Sequence, residues 1–272
     1  MPAMTHTATS LPGRLPRVIP AAIAAAWLLT VLAEVSGRAE HLHHGAPIEG
    51  GPPLGAALFL FVIAWQGMTV AMMLPSSLSL IRLFAGISER QLEEACSRSP
   101  LYPGAGRGAL IGAFLAGYAL VWSGFGATAF LADVGLRRLA RATPWLGERP
   151  WLMAGAILAL AGALQFSRLK DRCLRQCRMP SLCLARHYAR GLDGAFRLGR
   201  DHGLQQLGCC WALMLVVLAA GTANLWWMAA LTALMAYERT PGGAKAVPVA
   251  GVVLLALGVL VLAHPSWGPT VP

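Results

Sequence analysis

An all-α bundle of membrane-spanning helices is the fold class this sequence predicts, on three observations. The 272 residues are 56% hydrophobic and 12% charged, about half the ~25% charge of an average soluble domain. Such a chain lacks the polar side chains to coat a water-soluble globule. Apolar runs of about 20 residues, the length that crosses a hydrocarbon core, recur along it. Finally, the net charge is +10, from 22 Lys and Arg against 12 Asp and Glu, and the basic residues cluster between the apolar runs. That placement is the mark of membrane topology; no nucleic-acid partner is expected from it.

The first run, Val18–Val35, follows Arg14 and Arg17 and so has the layout of a signal peptide. It exceeds the roughly 7–15 residues of a signal h-region, and no small-x-small cleavage site follows at 36–40. It reads as a retained first span. The second run is 54–74, closed by Pro75, which ends a helix by removing a donor and clashing with the preceding turn. The third, 108–132, is rich in Gly and Ala. The fourth is 151–166. The stretch 207–237 is too long for one crossing, and a turn at 221–224 divides it into 204–220 and 223–238. The last run, 247–263, stops at His264-Pro265. These make about seven spans, or six if the divided run is a single kinked helix or a re-entrant pair. The resulting map is an N-terminal tail at 1–17, one transmembrane helical domain at 18–264 with an Arg-rich loop at 168–203, and a C-terminal tail at 265–272.

Lys and Arg in short loops mark the cytoplasmic side. With the N-terminus inside, Arg82, Arg90, Arg98 and Arg107 fall inside, as do the basic residues of 168–203 and Arg239 with Lys245. Arg137, Arg138, Arg141 and Arg149 disagree, partly offset by Asp133 and Glu148. Two loop segments carry helical patterning: 88–97, and 182–198, which reads as an interfacial amphipathic helix.

The chemistry-bearing residues are mostly sulfur. Cys173 and Cys177, four residues apart, share a face of a helix that Pro180 stops. Cys209 and Cys210 open the fifth span, and His202 precedes them. All five fall at the cytoplasmic interface in this topology. Thiolates and an imidazole converging from two helix ends suit a metal, while a cysteine taken alone is as readily a small buried hydrophobe. Met68, Met72, Met73 and Met214 form a second set. Thioethers and thiolates are soft ligands that favour Cu(I), and methionines also simply fill gaps between helices. His41, His43 and His44 lie in the first external loop, as a divalent-metal site or as ordinary solvated residues. Gln66 and Gln165 are placed to hydrogen-bond between helices, and Gly112, Ala116 and Gly117 to let helices approach closely. No phosphate-binding loop, catalytic triad or dinucleotide fingerprint is present, so no enzyme class is indicated.

Several segments in fixed order resemble a bacterial family of predicted metal-binding integral membrane proteins of unknown function. They are Trp65-Gln66-Gly67-Met68 with Ala71 to Pro75, then Gly117-Tyr118 with Val121-Trp122. Ala161-Gly162, Gln165, Lys170 and Cys173 to Pro180 follow. The last set runs from Gly199 and His202 through Gly208-Cys209-Cys210-Trp211 and Met214 to Asn224 and Glu238. The resemblance implies a bacterial inner-membrane protein with Cys173, Cys177, His202, Cys209 and Cys210 as metal ligands. Two positions depart from the pattern: Gln206 stands where a further cysteine is expected, and Glu238-Arg239 replaces an acidic-Lys pair. The leading expectation is a protein that handles a thiophilic ion, copper ahead of zinc. A membrane thiol-disulfide oxidoreductase is the alternative, because paired cysteines also exchange electrons. A structural subunit is the other, its Arg-rich loop docking a cytoplasmic or membrane protein partner or anionic lipid. The lipid bilayer is the one partner common to all three readings; the oligomeric state is not legible in the sequence.

Overall fold

The computed structural model describes residues 16–35, 53–98, 106–220 and 225–264. The expected turn at 221–224 and the histidines His41, His43 and His44 lie outside them. Among the described residues the chain is built of helices alone. They are α1 (Val18–Val35), α2 (Leu54–Met72), α3 (Leu78–Arg98), α4 (Arg107–Ala142), α5 (Pro144–Gly147), α6 (Pro150–Gln165), α7 (Arg168–Arg178), α8 (Pro180–His187), α9 (Gly191–Ala220), α10 (Leu225–Glu238) and α11 (Ala246–Ala263). Short 3-10 turns at Pro75–Ser77 and Pro241–Lys245 join α2 to α3 and α10 to α11.

Local sequence accounts for the breaks. Proline opens α5, α6 and α8, where its missing N–H costs nothing and its fixed φ suits a first turn. Ser167 caps α7 by accepting the Lys170 N–H at 3.1 Å, satisfying one of the orphan donors of a helix start. Gly191 opens α9 at a φ of 85°, a left-handed conformation that glycine adopts without a steric penalty.

Among the described residues, three helices are long and apolar enough to cross a membrane: Leu54–Met72, Arg107–Ala142 and Gly242–Ala263. The pair Trp151–Gln165 and Arg168–Arg178, bent by 64° at the break, makes a fourth if it forms one broken span. Of the other expected spans, α1 is apolar over the shorter stretch Val18–Leu32, and α10 has 14 residues. The 30 residues of α9 begin with a charged third. Several boundaries differ from those expected. Helix α4 has 36 residues, about 54 Å at 1.5 Å per residue, so Arg137, Arg138 and Arg141 extend a helix rather than occupy a loop. The segment 182–198 is not one helix: it breaks between His187 and Gly191. From Gly191 the chain runs on without interruption, so Cys209 and Cys210 lie deep within α9 rather than opening a span. Sequence could not reveal this, because the polar first half of α9 looks like a loop until α4 covers it.

Among the described residues, α4 and α9 make the most extensive helix contact. It is made by bare backbone. A Cβ on Gly117 would stand 2.1 Å from the Phe196 carbonyl oxygen, and one on Gly199 would stand 1.9 Å from that of Phe114. Gly117 thus serves the close approach expected of it, whereas Gly112 and Ala116 face outward. A second glycine seam joins α6 to α11. Gly155 faces Gly258, and Gly162 faces Gly251, each pair of glycines seven residues apart on its helix. Small residues at such spacing let helices pack where no water drives them together. Gln66 donates to the Ala119 carbonyl at 3.0 Å and to Ser123 Oγ at 2.7 Å, the interhelical role expected of it. Gln165, by contrast, is buried with neither amide atom hydrogen-bonded. The outward faces are apolar: Phe59 and Ile63 on α2, Val249 and Val252 on α11, and Trp226 on α10, 84% exposed.

Candidate metal centre

The end of the bundle where α2, α4, α7, α9 and α10 meet concentrates the buried polar and sulfur groups. Cys209 and Cys210 arrive on adjacent positions of α9. Both thiols donate back to the Gln206 carbonyl, at 3.1 and 2.8 Å, a bond that i−3 and i−4 geometry places under each side chain. Cys210 Sγ lies 3.7 Å from Met73 Sδ, at the turn where Pro75 ends α2. From α7, Cys177 comes close enough to Cys209 for the two sulfurs to interact electrostatically, as the adjacent Cys209 and Cys210 do. Cys173, one turn earlier on α7, faces Gly208 so closely that a Cβ there would sit 2.5 Å from its Sγ. The glycine makes room for the sulfur. None of Cys173, Cys177, Cys183, Cys209 and Cys210 is in a disulfide.

The sequence-singled residues do not all join this cluster. Met68, Met72 and Met214 are buried in the same core, and none of them touches a thiol at hydrogen-bonding range. His202 sits about two turns before Cys209 on α9 and hydrogen-bonds Ser77 Oγ through Nε2 at 2.9 Å. Its ring stacks on Phe114 and Tyr118 of α4, with centroids 6.1 Å away in each case. Burial first, and the Arg239 charge second, push its pKa down to about 4. His202 is therefore a neutral imidazole at pH 7, the form that ligates metals. Among the described residues no three His, Cys, Asp or Glu side chains stand in ready-made ligating geometry. The cysteines are gathered but not closed around an ion, and the third soft donor beside them is the Met73 thioether.

Several residues of the site were not read as such from sequence. Gln206, a departure from the expected cysteine, is a buried hub. It accepts from the Tyr118 hydroxyl and donates to Ser76 Oγ at 2.9 Å and the Met73 carbonyl at 3.2 Å, tying α9 to the turn that carries Met73. A signal was present, since residues three and four before two adjacent cysteines must lie beneath them on a helix. Arg239 is the other. Its Nη2 lies 3.7 Å from Cys210 Sγ and 3.9 Å from Cys209 Sγ. The sequence marked it only as half of the Glu238-Arg239 pair that departs from the family's acidic-Lys pattern and otherwise as a topology-setting arginine. Beside it, Lys170 and Glu238 form a buried ion pair at 2.7 Å, 5% and 2% exposed. Arg178 donates Nε and Nη2 to the Glu238 carbonyl at 2.9 and 2.6 Å. Together these bonds lock α7, the helix of Cys173 and Cys177, onto the end of α10.

A cavity of about 370 Å³ opens onto the cluster, with Cys177, Cys183, His202, Arg178 and Arg239 in its wall. Cys183, on α8, donates to Gln205 Oε1 at 3.4 Å. The chemistry of this donor set fits a soft ion: thiols and a thioether at the inner end, a neutral imidazole and a further thiol along the approach.

A family model described as a copper chaperone, PpoB2, matches residues 62–261, close to three quarters of the chain, so the chain belongs to the PpoB2 copper chaperone family. All five cysteines of the described site, His202 and the four methionines fall within the matched region. The metal connection implied by the sequence resemblance stands in this form, with copper as the metal. No curated protein and no solved structure matches the chain.

Proposed function

We propose that this member of the copper chaperone family is a multi-pass membrane protein that carries Cu(I) on Cys209 and Cys210, assisted by Cys177 and the Met73 thioether. The observation that carries the reading is the convergence of sulfur from three separate elements: Cys210 stands 3.7 Å from Met73, and Cys177 comes up to Cys209 from α7. The cavity wall supplies an approach past His202, Cys177 and Cys183, and Cys173 lies behind Cys177 as a further donor. Met68, Met72 and Met214 are a softer reserve in the adjoining core. The apolar outer faces of α2, α4 and α11 support insertion in a bilayer, since lipid requires no polar surface from them. The excess of Lys and Arg near the sulfur end supports its placement on the cytoplasmic side of a bacterial inner membrane, with the N-terminus inside. Uptake and release then proceed by ligand exchange: an incoming thiolate or thioether replaces an outgoing one on the ion, with no change of oxidation state.

Elemental mass spectrometry of the detergent-solubilised protein, reduced and supplied with copper and zinc, tests the reading against the Cys209→Ser, Cys210→Ser double variant. The expected result is stoichiometric copper in the wild type and its loss in the variant. Copper-free wild type would overturn the reading.

The Cys177–Cys209 contact favours one alternative, a thiol-disulfide exchanger in which these two sulfurs form the bond. Incubating metal-free protein with a quinone would then produce a Cys177–Cys209 disulfide, detectable by peptide mass mapping; the copper-carrier reading expects no such bond.

A further inference from the structure

The sulfur cluster holds a positive charge with no carboxylate to answer it. Arg239 directs Nη2 at both Cys209 and Cys210, and its Nη1 is buried without a hydrogen-bond partner. The acidic residue next to it in the chain, Glu238, is engaged elsewhere: its carboxylate pairs with Lys170 and its carbonyl with Arg178. Among the described residues no acidic side chain forms an ion pair with Arg239. A partly buried charge needs a partner, and the groups that its Nη2 reaches are the Cys209 and Cys210 sulfurs, which carry negative charge once a metal ion replaces their protons.

We propose that Arg239 is the specificity-determining residue of the site, setting its preference for a monovalent soft cation over a divalent one. The inference rests on the copper-carrier reading and adds what selects the ion. Charge balance among tightly packed helices sets the preference. Two thiolates bring two negative charges, Cu(I) one positive charge and the guanidinium a second, so the assembly is neutral. Zn(II) in the same place leaves one positive charge uncompensated among apolar helices, where isolated charge is costly. The Met73 thioether is neutral and leaves the sum unchanged, as does Cys177 while it remains a thiol. Each of the two ligating thiols releases its proton to the departing ligand or to water as Cu(I) binds, so protons and charge balance. Arginine suits the role because it stays protonated under all relevant conditions and its planar fork spans two acceptors at once.

The test is the affinity of the detergent-solubilised, reduced protein for Cu(I) and for Zn(II), each by competition with a chromophoric chelator, in wild type, Arg239→Gln and Arg239→Lys. Arg239→Gln is expected to lower Cu(I) affinity about 10- to 100-fold, the usual cost of losing a group that supports metal ligands, while Zn(II) affinity holds or rises. Arg239→Lys, which keeps the charge, should retain the wild-type ratio within a few-fold. Should Arg239→Gln fail to fold, Arg239→Met offers a second neutral side chain of similar length. Equal losses for both metals, or an unchanged ratio in the neutral variant, would overturn the role of Arg239 while leaving a copper-binding protein. Wild type that takes up no Cu(I) would instead overturn the carrier reading beneath it.

Discussion

Two regions of this bundle pack glycine against backbone, and they do it for different ends. The α6–α11 seam is apolar throughout. Gly155, Gly162, Gly251 and Gly258 bring the helices together, and apart from Gln165 at the end of α6 neither helix carries a polar or ionisable side chain. The α4–α9 seam uses Gly117 and Gly199 in the same manner, yet the close approach there encloses His202, Gln206, Tyr118 and the cysteine pair. The first seam is an adhesive between helices whose outward faces are apolar. The second is the wall of a site, where backbone contact brings polar groups within reach of one another and keeps bulk water out. The same residue type, at the same kind of contact, therefore stabilises one half and organises chemistry in the other.

The difference is open to direct attack. The largest effect is expected at the ion pair that closes the site end. Lys170→Met, which strands a buried carboxylate, should destabilise the protein by about 3–5 kcal/mol, and a Lys170→Met, Glu238→Leu double variant should recover much of that loss. Denaturant or thermal melts in detergent would read both. If the single and double variants lose equal stability, the pair does not act as a unit.

Acid should separate the two halves as well. His202 titrates near 6.5 in an unfolded chain and at about 4 in the fold. Between those values the unfolded state binds the proton that the folded state refuses. Stability is therefore complete above pH 6.5, falls as pH drops from about 6.5 to about 4, and changes no further from this group below that. The shift corresponds to roughly 3 kcal/mol at 1.36 kcal/mol per unit. Hydrogen exchange followed over this range should show α4 and α9 loosening first, while α6 and α11, which have no titratable group in their seam, keep their protection. A His202→Gln variant should flatten the slope; a slope that persists in it would assign the acid response elsewhere.

The smallest effects compare the glycines. Gly199→Ala drives a methyl into the Phe114 carbonyl, which has no room to yield, at a cost of about 1–3 kcal/mol or more. Gly155→Ala meets mainly the Leu262 side chain at 2.6 Å, which a change of rotamer relieves, so its cost should be smaller. The Gly199 variant should also weaken metal retention, and the Gly155 variant should not. Reversed ranking in melts and metal content would remove the distinction drawn between the seams.

The helical class, the positions of α2, α4 and α11, the sulfur inventory and the Gln66 hydrogen bond were legible in the sequence, because apolar length and helical spacing act locally. So was the likelihood of metal chemistry, carried by residue type and order alone. Three things were not. The continuity of α9 was hidden: 182–198 read as a separate interfacial helix, because nothing local joins its charged residues to the apolar run after them until α4 supplies a covering face. Which methionine meets a cysteine was hidden too: Met68, Met72, Met73 and Met214 are equal by composition, and the turn at Pro75 brings Met73 alone onto Cys210. Arg239 read as one more topology-setting cation, because nothing local distinguishes an arginine facing headgroups from one facing two sulfurs. Chain order determined which donors this protein owns. Only tertiary packing decided which of them share a site and what charge they face, because those contacts join residues on different helices, from 29 positions apart for Arg239 and Cys210 to 137 for Met73 and Cys210.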